Sequence, residues 1–582
     1  MLHKTKQARD EREFPHPFVD RDQYGEEPPG TWAPRAIVEL RMQQLSAALR
    51  EKPEWWRKAK DPKIRKRWFE EAKAEQESVE RRWRLTDNMI NYTLSELEGY
   101  AQLRDEETGI ECGPYDCIWR SDRIIPDGLC AALEAAVKPL EDVPDAEKDW
   151  HPGSNEQVLD LVHPFLYPLI YGQTLGKRPN GTVDTFDPPE TDFENPGDPL
   201  VAHGPEDAKV LPDFVSSHYQ CLPSDFLVQP DGSVRLASAY INNVAPEHAG
   251  ALVPAFERVL ARAVPLWERV LGDLRGGEPP MRVGPVVYKA ERSRASKGLA
   301  CVWREREPEW VPSERVDDTE TWEEYRAARD AWYATQPVVL PEAPAEYEGA
   351  LAGRVGRVFG LRGRTIQVIT KLVNVVLTPE KPTYPGGTWH VEGMWNERIV
   401  STFIYYYRSE NVQDTQLAFR QATAEALYHR PHDDYCMATL YGFEDGEACV
   451  QDVGSITTKP GRCVAFPNLL QHKVAPFGLV DPTQPGVRKI LVFYLVDPTR
   501  PVPSATVVAP QQEDWLKSML YAAQRSGSSR LSSLPSELLD SLAHLVPGIL
   551  SREEALKIRS WLMKERSVEH QHEENGLSKV SP

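Results

Sequence analysis

The sequence predicts an α+β protein: a C-terminal double-stranded β-helix (jelly roll) with extensive N-terminal helical elaboration and a helical C-terminal tail. Three observations lead there. From Gly363 to about residue 505 the chain breaks into short β-rich runs parted by turns, eight within roughly 130 residues, as a double-sheet antiparallel fold requires. Before that stretch, apolar residues recur at helical spacing, as in Ile37, Leu40, Leu45 and Leu49. After Pro503 the helical texture returns.

The elements follow in order. Residues 1–33 are polar and Pro-rich and read as an extended arm. Residues 34–76 read as helix cut into pieces by Pro53 and Pro62. Their basic run KDPKIRKRW reads as a solvated face balanced by the glutamates after it. Thr86 or Asp87 caps the helix TDNMINYTLSELEGYAQL, and LCAALEAAVKPL supplies another. VLDLVHPFLYPLIYGQT holds His163, a lone histidine beside Pro that reads as a satisfied core residue. Residues 176–212 are rich in Pro, Gly, Asp and Glu and read as a long loop or lid. YQCLPSDFLV and SVRLASAYINNV, parted by an Asp-Gly turn, read as two strands. Residues 246–273 form an amphipathic helix broken or kinked at Pro254 or Pro265, and 306–345 read as charged helix and loop. Strands are expected at 366–377, 388–394, 399–407, 436–441, 447–453, 462–466, 471–477 and 487–496. Three helices close the chain, the last with a Ser-x-x-Glu start at Ser551, and the final dozen residues read as disordered. The boundaries this gives are 1–84 for the arm and charged helices, 85–362 for a mixed helical region wrapping the barrel, 363–505 for the catalytic core, and 506–582 for the C-terminal helices and tail.

Composition narrows the function. A net charge of −20 argues against broad phosphate-backbone binding, so no nucleic-acid partner is expected. No apolar run approaches the roughly 20 residues of a membrane span, and the first residues lack the apolar core of a secretory signal. A cytoplasmic or nuclear location is expected. The scattered cysteines, including Cys112 and Cys117 without a matching second pair, read as reduced thiols rather than a zinc site.

The chemistry gathers in GGTWHVEGMWNE. On a strand, His390 and Glu392 would project to one face and supply two legs of a facial metal site. His472, in FPNLLQHKVAPF, supplies the third leg. Two imidazoles and one carboxylate suit iron(II) and leave positions open for a chelating co-substrate and dioxygen. Arg488 opens the apolar run RKILVFYLV, where a charge needs a partner, and its fork fits the far carboxylate of 2-oxoglutarate. Lys371 and Asn374, on the strand before the motif, are candidates to hydrogen-bond that co-substrate, and Tyr405 and Tyr407 are candidates to line its pocket. Trp389 and Trp395 flank the motif. His429, His432 and Asp433 form a rival cluster in a Pro-containing loop, and Arg420 and Arg462 are rivals to Arg488.

These residues also carry a resemblance. GGTWHVEGMWNERIVSTFIYYY, GRCVAFPNLLQHKVAPF and GVRKILVFYLVDP, with LVHPFLYPLIYG earlier, resemble a mainly fungal family filed as a domain of unknown function, itself similar to 2-oxoglutarate oxygenases of the prolyl-hydroxylase type. The resemblance implies iron ligation by His390, Glu392 and His472 and co-substrate anchoring by Arg488. The acid is Glu where Asp is commoner, and the interval from His472 to Arg488 is longer than usual. The expected activity is an iron(II)/2-oxoglutarate-dependent dioxygenase that hydroxylates a small molecule with dioxygen and releases succinate. A protein hydroxylase or demethylase, or a non-catalytic cupin-like binding scaffold, stands as the alternative.

Overall fold

The computed structural model describes residues 14–18, 32–189, 214–277, 279–284, 302, 322–336, 338–424, 434–444, 446–526 and 530–576. Helices α1 (Ile37–Arg50), α2 (Pro62–Glu75), α3 (Asp87–Leu103) and α4 (Asp127–Glu141) open the chain. Pro62 starts α2 rather than ending its predecessor: it lies in the first turn, and Asp61 accepts from the amides of Lys63 and Ile64. Thr86 caps α3 by accepting from Met89 N. Helix α5 (Pro246–Arg275) runs unbroken for 30 residues through Pro254 and Pro265, where a break or kink was expected. Its buried stripe includes Leu252, Phe256, Val259, Leu260 and Trp267. That stripe lies on a large sheet, where Phe256 meets Phe493 and Trp267 meets Phe403 edge to face at 6.1 and 6.2 Å.

The large sheet has nine antiparallel strands. They are β1 (Glu111–Cys112), β2 (Trp119–Ser121), β3 (Val158–Val162), β4 (Ser224–Val228), β5 (Val234–Leu236), β6 (Thr365–Leu377), β7 (Ile399–Glu410), β10 (Cys463–Pro467) and β12 (Gly486–Val496), with β8 (Thr415–Ala422), β9 (Val450–Thr458) and β11 (Leu470–Val474) forming a second sheet. The order in the large sheet is β1-β2-β10-β7-β12-β6-β4-β5, with β3 beside β6; in the second it is β9-β8-β11. A short ladder joins Thr383–Tyr384 to Phe477–Gly478. The architecture is therefore mixed helix and antiparallel sheet.

Most of the expected strands are present, and the exceptions have local causes. Residues 436–441 belong to a helix, Asp434–Tyr441, because Cys436, Met437, Leu440 and Tyr441 bury one helical face. Strand β8 was not expected: its polar composition hid a clean alternation in which Thr415, Leu417 and Phe419 are buried. Residues 388–394 contain no strand, only an isolated bridge from His390 to His472. At the C-terminus, α6 (Glu513–Arg525), α7 (Ser536–His544) and α8 (Arg552–Gly576) follow the expected helices, and Ser551 and Glu554 cap each other reciprocally. Helix α8 extends into the dozen residues expected to be disordered; 577–582 lie outside the described residues.

A buried ion network ties the N-terminal helices to α5. Arg282 Nε donates to both Glu96 oxygens at 2.8 Å and Nη2 to Asp116 at 3.2 Å, while Arg354 grips Asp273 at 2.7 and 3.1 Å and also contacts Asp116. Burial opposes the charge on Asp116, but Arg282 and Arg354 outweigh it and hold the carboxyl far below its usual range. Asp116→Ala should cost about 3–5 kcal/mol, because two guanidinium groups lose a shared carboxylate. Urea denaturation with an unchanged slope checks this. The contribution of Asp116 should be complete above the ordinary Asp pKa of about 3.9 and fade as pH falls below it.

Candidate metal centre

The loop from Gly386 to Glu397 carries the centre, and three devices fix it. Gly386 has φ +90°, and a Cβ there would lie 2.7 Å from Val474 O, so only glycine brings the loop this close to β11. Next, His390 N donates to His472 O at 3.3 Å and His472 N to His390 O at 2.9 Å, which sets the two histidines side by side. Finally, the buried Asn468 side chain clasps the backbone of Glu392: Oδ1 accepts from Glu392 N and Nδ2 donates to Glu392 O, both at 2.8 Å. Just beyond, Glu397 accepts from the amides of Met394 (2.6 Å) and Cys221 (2.9 Å) and pairs with Arg566 of α8.

His390, Glu392 and His472 converge. Their donor atoms all lie within 4.8 Å of one another. Glu392 Oε1 is 3.3 Å from His472 Nε2 and 3.7 Å from His390 Nε2. His390 Nδ1 pairs with the Thr388 carbonyl at 2.9 Å, which aims Nε2 at the carboxylate. The ring of Phe466 meets His472 edge to face at 4.8 Å. Burial opposes ionisation of Glu392, yet the two histidines hold its carboxyl well below the usual range. Burial also pulls His390 down, but Glu392 and the Thr388 carbonyl outweigh it and raise the imidazole. Burial and the neighbouring His390 lower His472. A proton on His390 thus supplies positive charge where the donor set suits a cation.

The centre opens on a cavity of about 280 Å³. Ile369 and Lys371 of β6 and Tyr494 of β12 form one wall, and Met563 and Arg566 of α8 form a roof. Burial and Glu392 push the Tyr494 phenol far up, so it stays a neutral hydrogen-bond donor. His151 and His163 line the same cavity and form a second group with Asp160. Here His151 Nδ1 is 2.8 Å from Asp160 Oδ2 and His163 Nε2 is 3.8 Å from it, but Arg559 of α8 also reaches that oxygen at 3.7 Å. Arg559 already supplies positive charge at Asp160, so the His390 group is the better cation site. His163 is buried, as a core histidine should be, yet it also faces the cavity.

The cross-strand register sorts the remaining candidates. Lys371 pairs with Val492 and Val375 with Arg488, which puts Lys371, Arg488, Ile490 and Tyr494 on one face of the sheet. Asn374 pairs with Lys489 on the other face, where both bind Glu141 of α4 at 2.7 Å. Tyr405 and Tyr407 also face α4: Cys130 Sγ reaches Tyr407 O at 3.4 Å and electrostatically couples to Tyr405. Asn374, Tyr405 and Tyr407 therefore stand outside the cavity face, and the expectation that they bind co-substrate is corrected. Tyr406, paired with Ile490, is the tyrosine that turns inward, the reverse of the expected face. Trp389 lies under Arg420 at 4.8 Å and Lys473 at 4.6 Å. Trp395 packs with Phe18, Phe214 and Val391. Arg462 is taken by Asp122 at 2.6 and 2.9 Å. His429, His432 and Asp433 lie outside the described residues. Sequence reasoning missed Asn468, whose only signal was an Asn at the turn after FP.

The family described as "Protein of unknown function (DUF4246)" matches residues 87–519. The chain belongs to that family. The family's N-terminal domain, also of unknown function, matches residues 2–71. No curated protein matches the chain. Among solved structures, it is similar to IDO from Bacillus thuringiensis at 11% identity over 23% of this chain and 47% of that one, with a TM-score of 0.15. It is also similar to the Fe(II)/(alpha)ketoglutarate-dependent dioxygenase TqaL at 14% identity over 27% of this chain and 54% of that one, with a TM-score of 0.16. For AviO1 from Streptomyces viridochromogenes the values are 17%, 23%, 54% and 0.13. The chain spans about half the length of these structures. No described helix of this DUF4246 chain is long and apolar enough to cross a membrane.

Removing the clasp should loosen the centre without removing a ligand. Asn468→Ala is expected to weaken divalent-metal binding about 10- to 100-fold, as loss of an orienting partner does. His472→Ala should abolish that binding; calorimetric titration of Mn(II) into each full-length variant measures both.

Proposed function

We propose that this protein is an iron(II)- and 2-oxoglutarate-dependent dioxygenase that oxidises a small organic molecule. The observation that carries the reading is the convergence of His390, Glu392 and His472, the first two of which line one cavity. Strand order supports a jelly-roll scaffold, with β6, β12, β7 and β10 adjacent in one sheet and β11, β8 and β9 in the other.

Arg488 adds the second argument. It is 1% exposed, and Nη2 donates to Gln413 O at 2.6 Å. Its Nε and Nη1 have no hydrogen-bond partner among the described residues. Phe477 lies 4.2 Å beneath the guanidinium, and Tyr406 and Asp414 lie within its electrostatic reach. A buried guanidinium with two unused donors fits a carboxylate ligand, because leaving that charge uncompensated is costly. Arg488 would hold the far carboxylate of 2-oxoglutarate beside Tyr406, and His390, Glu392 and His472 would hold iron. Iron and 2-oxoglutarate together supply dioxygen activation with release of succinate and carbon dioxide. The chain's own residues orient the ligands, keep Tyr494 as a donor at Glu392 and exclude bulk water beneath α8. The cavity is near the lower end of small-ligand pockets, about 300 Å³, which favours a small substrate over a protein segment.

Full-length protein given iron(II) and carboxyl-labelled 2-oxoglutarate should release labelled carbon dioxide and form succinate. His390→Ala should abolish this, and Arg488→Met should raise the half-saturating 2-oxoglutarate concentration at least about tenfold, the loss of one charge-assisted pair. Protein that neither binds metal nor consumes 2-oxoglutarate would leave the non-catalytic scaffold in its place.

A further inference from the structure

We infer that the substrate oxidised at this centre is an organic anion whose carboxylate is received by Lys371. The inference rests on the 2-oxoglutarate-dependent reading above. Lys371 lies on the inward face of β6, two positions from Ile369, which pairs with Tyr494 at the metal rim. Its charge reaches His390, Asp160 and His163, so it stands between the two histidine groups on the cavity wall.

Lys371 has no hydrogen bond or ion pair among the described residues, and Glu392 and Glu397 are committed elsewhere. Glu392 faces His390 and His472. Asp160 takes His151 at 2.8 Å through Oδ2, while Arg559 closes on Asp149 at 2.9 Å and Asp160 lies within electrostatic reach of Lys371 without a hydrogen bond to it. Glu397 is held by Arg566. Charge balance then points to the ligand. A divalent ion with Glu392 leaves one positive charge, Arg488 adds a second, and the two carboxylates of 2-oxoglutarate cancel both. The Lys371 ammonium on the cavity wall is left without a hydrogen-bond acceptor, and a substrate carboxylate would supply one there. A second donor stands nearby: His163 Nδ1 accepts from Phe165 N at 3.1 Å, which places the ring proton on Nε2. Phe165 and Ile369 give the substrate body an apolar surface.

Acetate and acetamide are matched probes, the one an anion and the other neutral. Each is titrated into full-length protein loaded with cobalt(II) and saturated with 2-oxoglutarate, and the visible cobalt spectrum is followed. Acetate should give a saturable change at least about tenfold tighter than acetamide, the worth of one charge-assisted hydrogen bond. Lys371→Met should remove that preference and leave 2-oxoglutarate affinity unchanged, which also shows the variant to be folded; Lys371→Arg should retain it. An equal response to both probes, no saturable acetate response, or an acetate preference surviving in Lys371→Met would overturn the inference. So would a Lys371→Met variant that mainly loses 2-oxoglutarate, since Lys371 would then serve the co-substrate. Failure of native protein to bind cobalt or 2-oxoglutarate would instead overturn the underlying reading.

Discussion

The paired backbone hydrogen bonds between His390 and His472 are the constraint on which the centre depends. They join a loop to β11 at one residue pair, and nothing else in the loop is strand. Imidazole and carboxylate donors must meet within a few ångströms to share an ion, which a free loop would achieve only at a large entropic cost. The bridge, the Asn468 clasp and the Gly386 approach to β11 meet that cost in advance, and the Thr388 carbonyl at His390 Nδ1 orients the ring.

Two helices serve this arrangement from the sheet face opposite the cavity. Helix α5 presses the large sheet from behind with a continuous apolar stripe, so β6, β7 and β12 are buried on that face and offer the other to the cavity. Helix α4 takes up the polar residues that alternation sends backward, Asn374 and Lys489, on Glu141. Inward positions are therefore free to carry Lys371, Arg488 and Tyr494.

Much of this was legible in the sequence. The long strands β6, β7 and β12 are dense in β-branched and aromatic residues, and such runs announce themselves. That His390, Glu392 and His472 would come together was legible from residue type and order. What was not legible depended on register. The pairing of Tyr406 with Ile490 decides which of three consecutive tyrosines turns inward, and no local pattern marks it. The strand expected at His390 and Glu392 was unnecessary, because a turn held by Asn468 gives the same juxtaposition. Met563 and Arg566 of α8 line the cavity, which the sequence did not announce, because an amphipathic helix does not say which surface it will cover.

The α8 roof is fastened by cations rather than by apolar packing alone. Arg559 grips Asp149 with two bonds of 2.9 Å, and Arg566 reaches Glu397, which is fully buried and holds the turn directly after Glu392. Lifting α8 would strand Glu397 as a lone anion in the interior and slacken the turn it organises. Access to the cavity and the tightness of the ligand loop are therefore one equilibrium: whatever raises the helix to admit a molecule also loosens the grip of Glu392, and whatever seats the helix restores it.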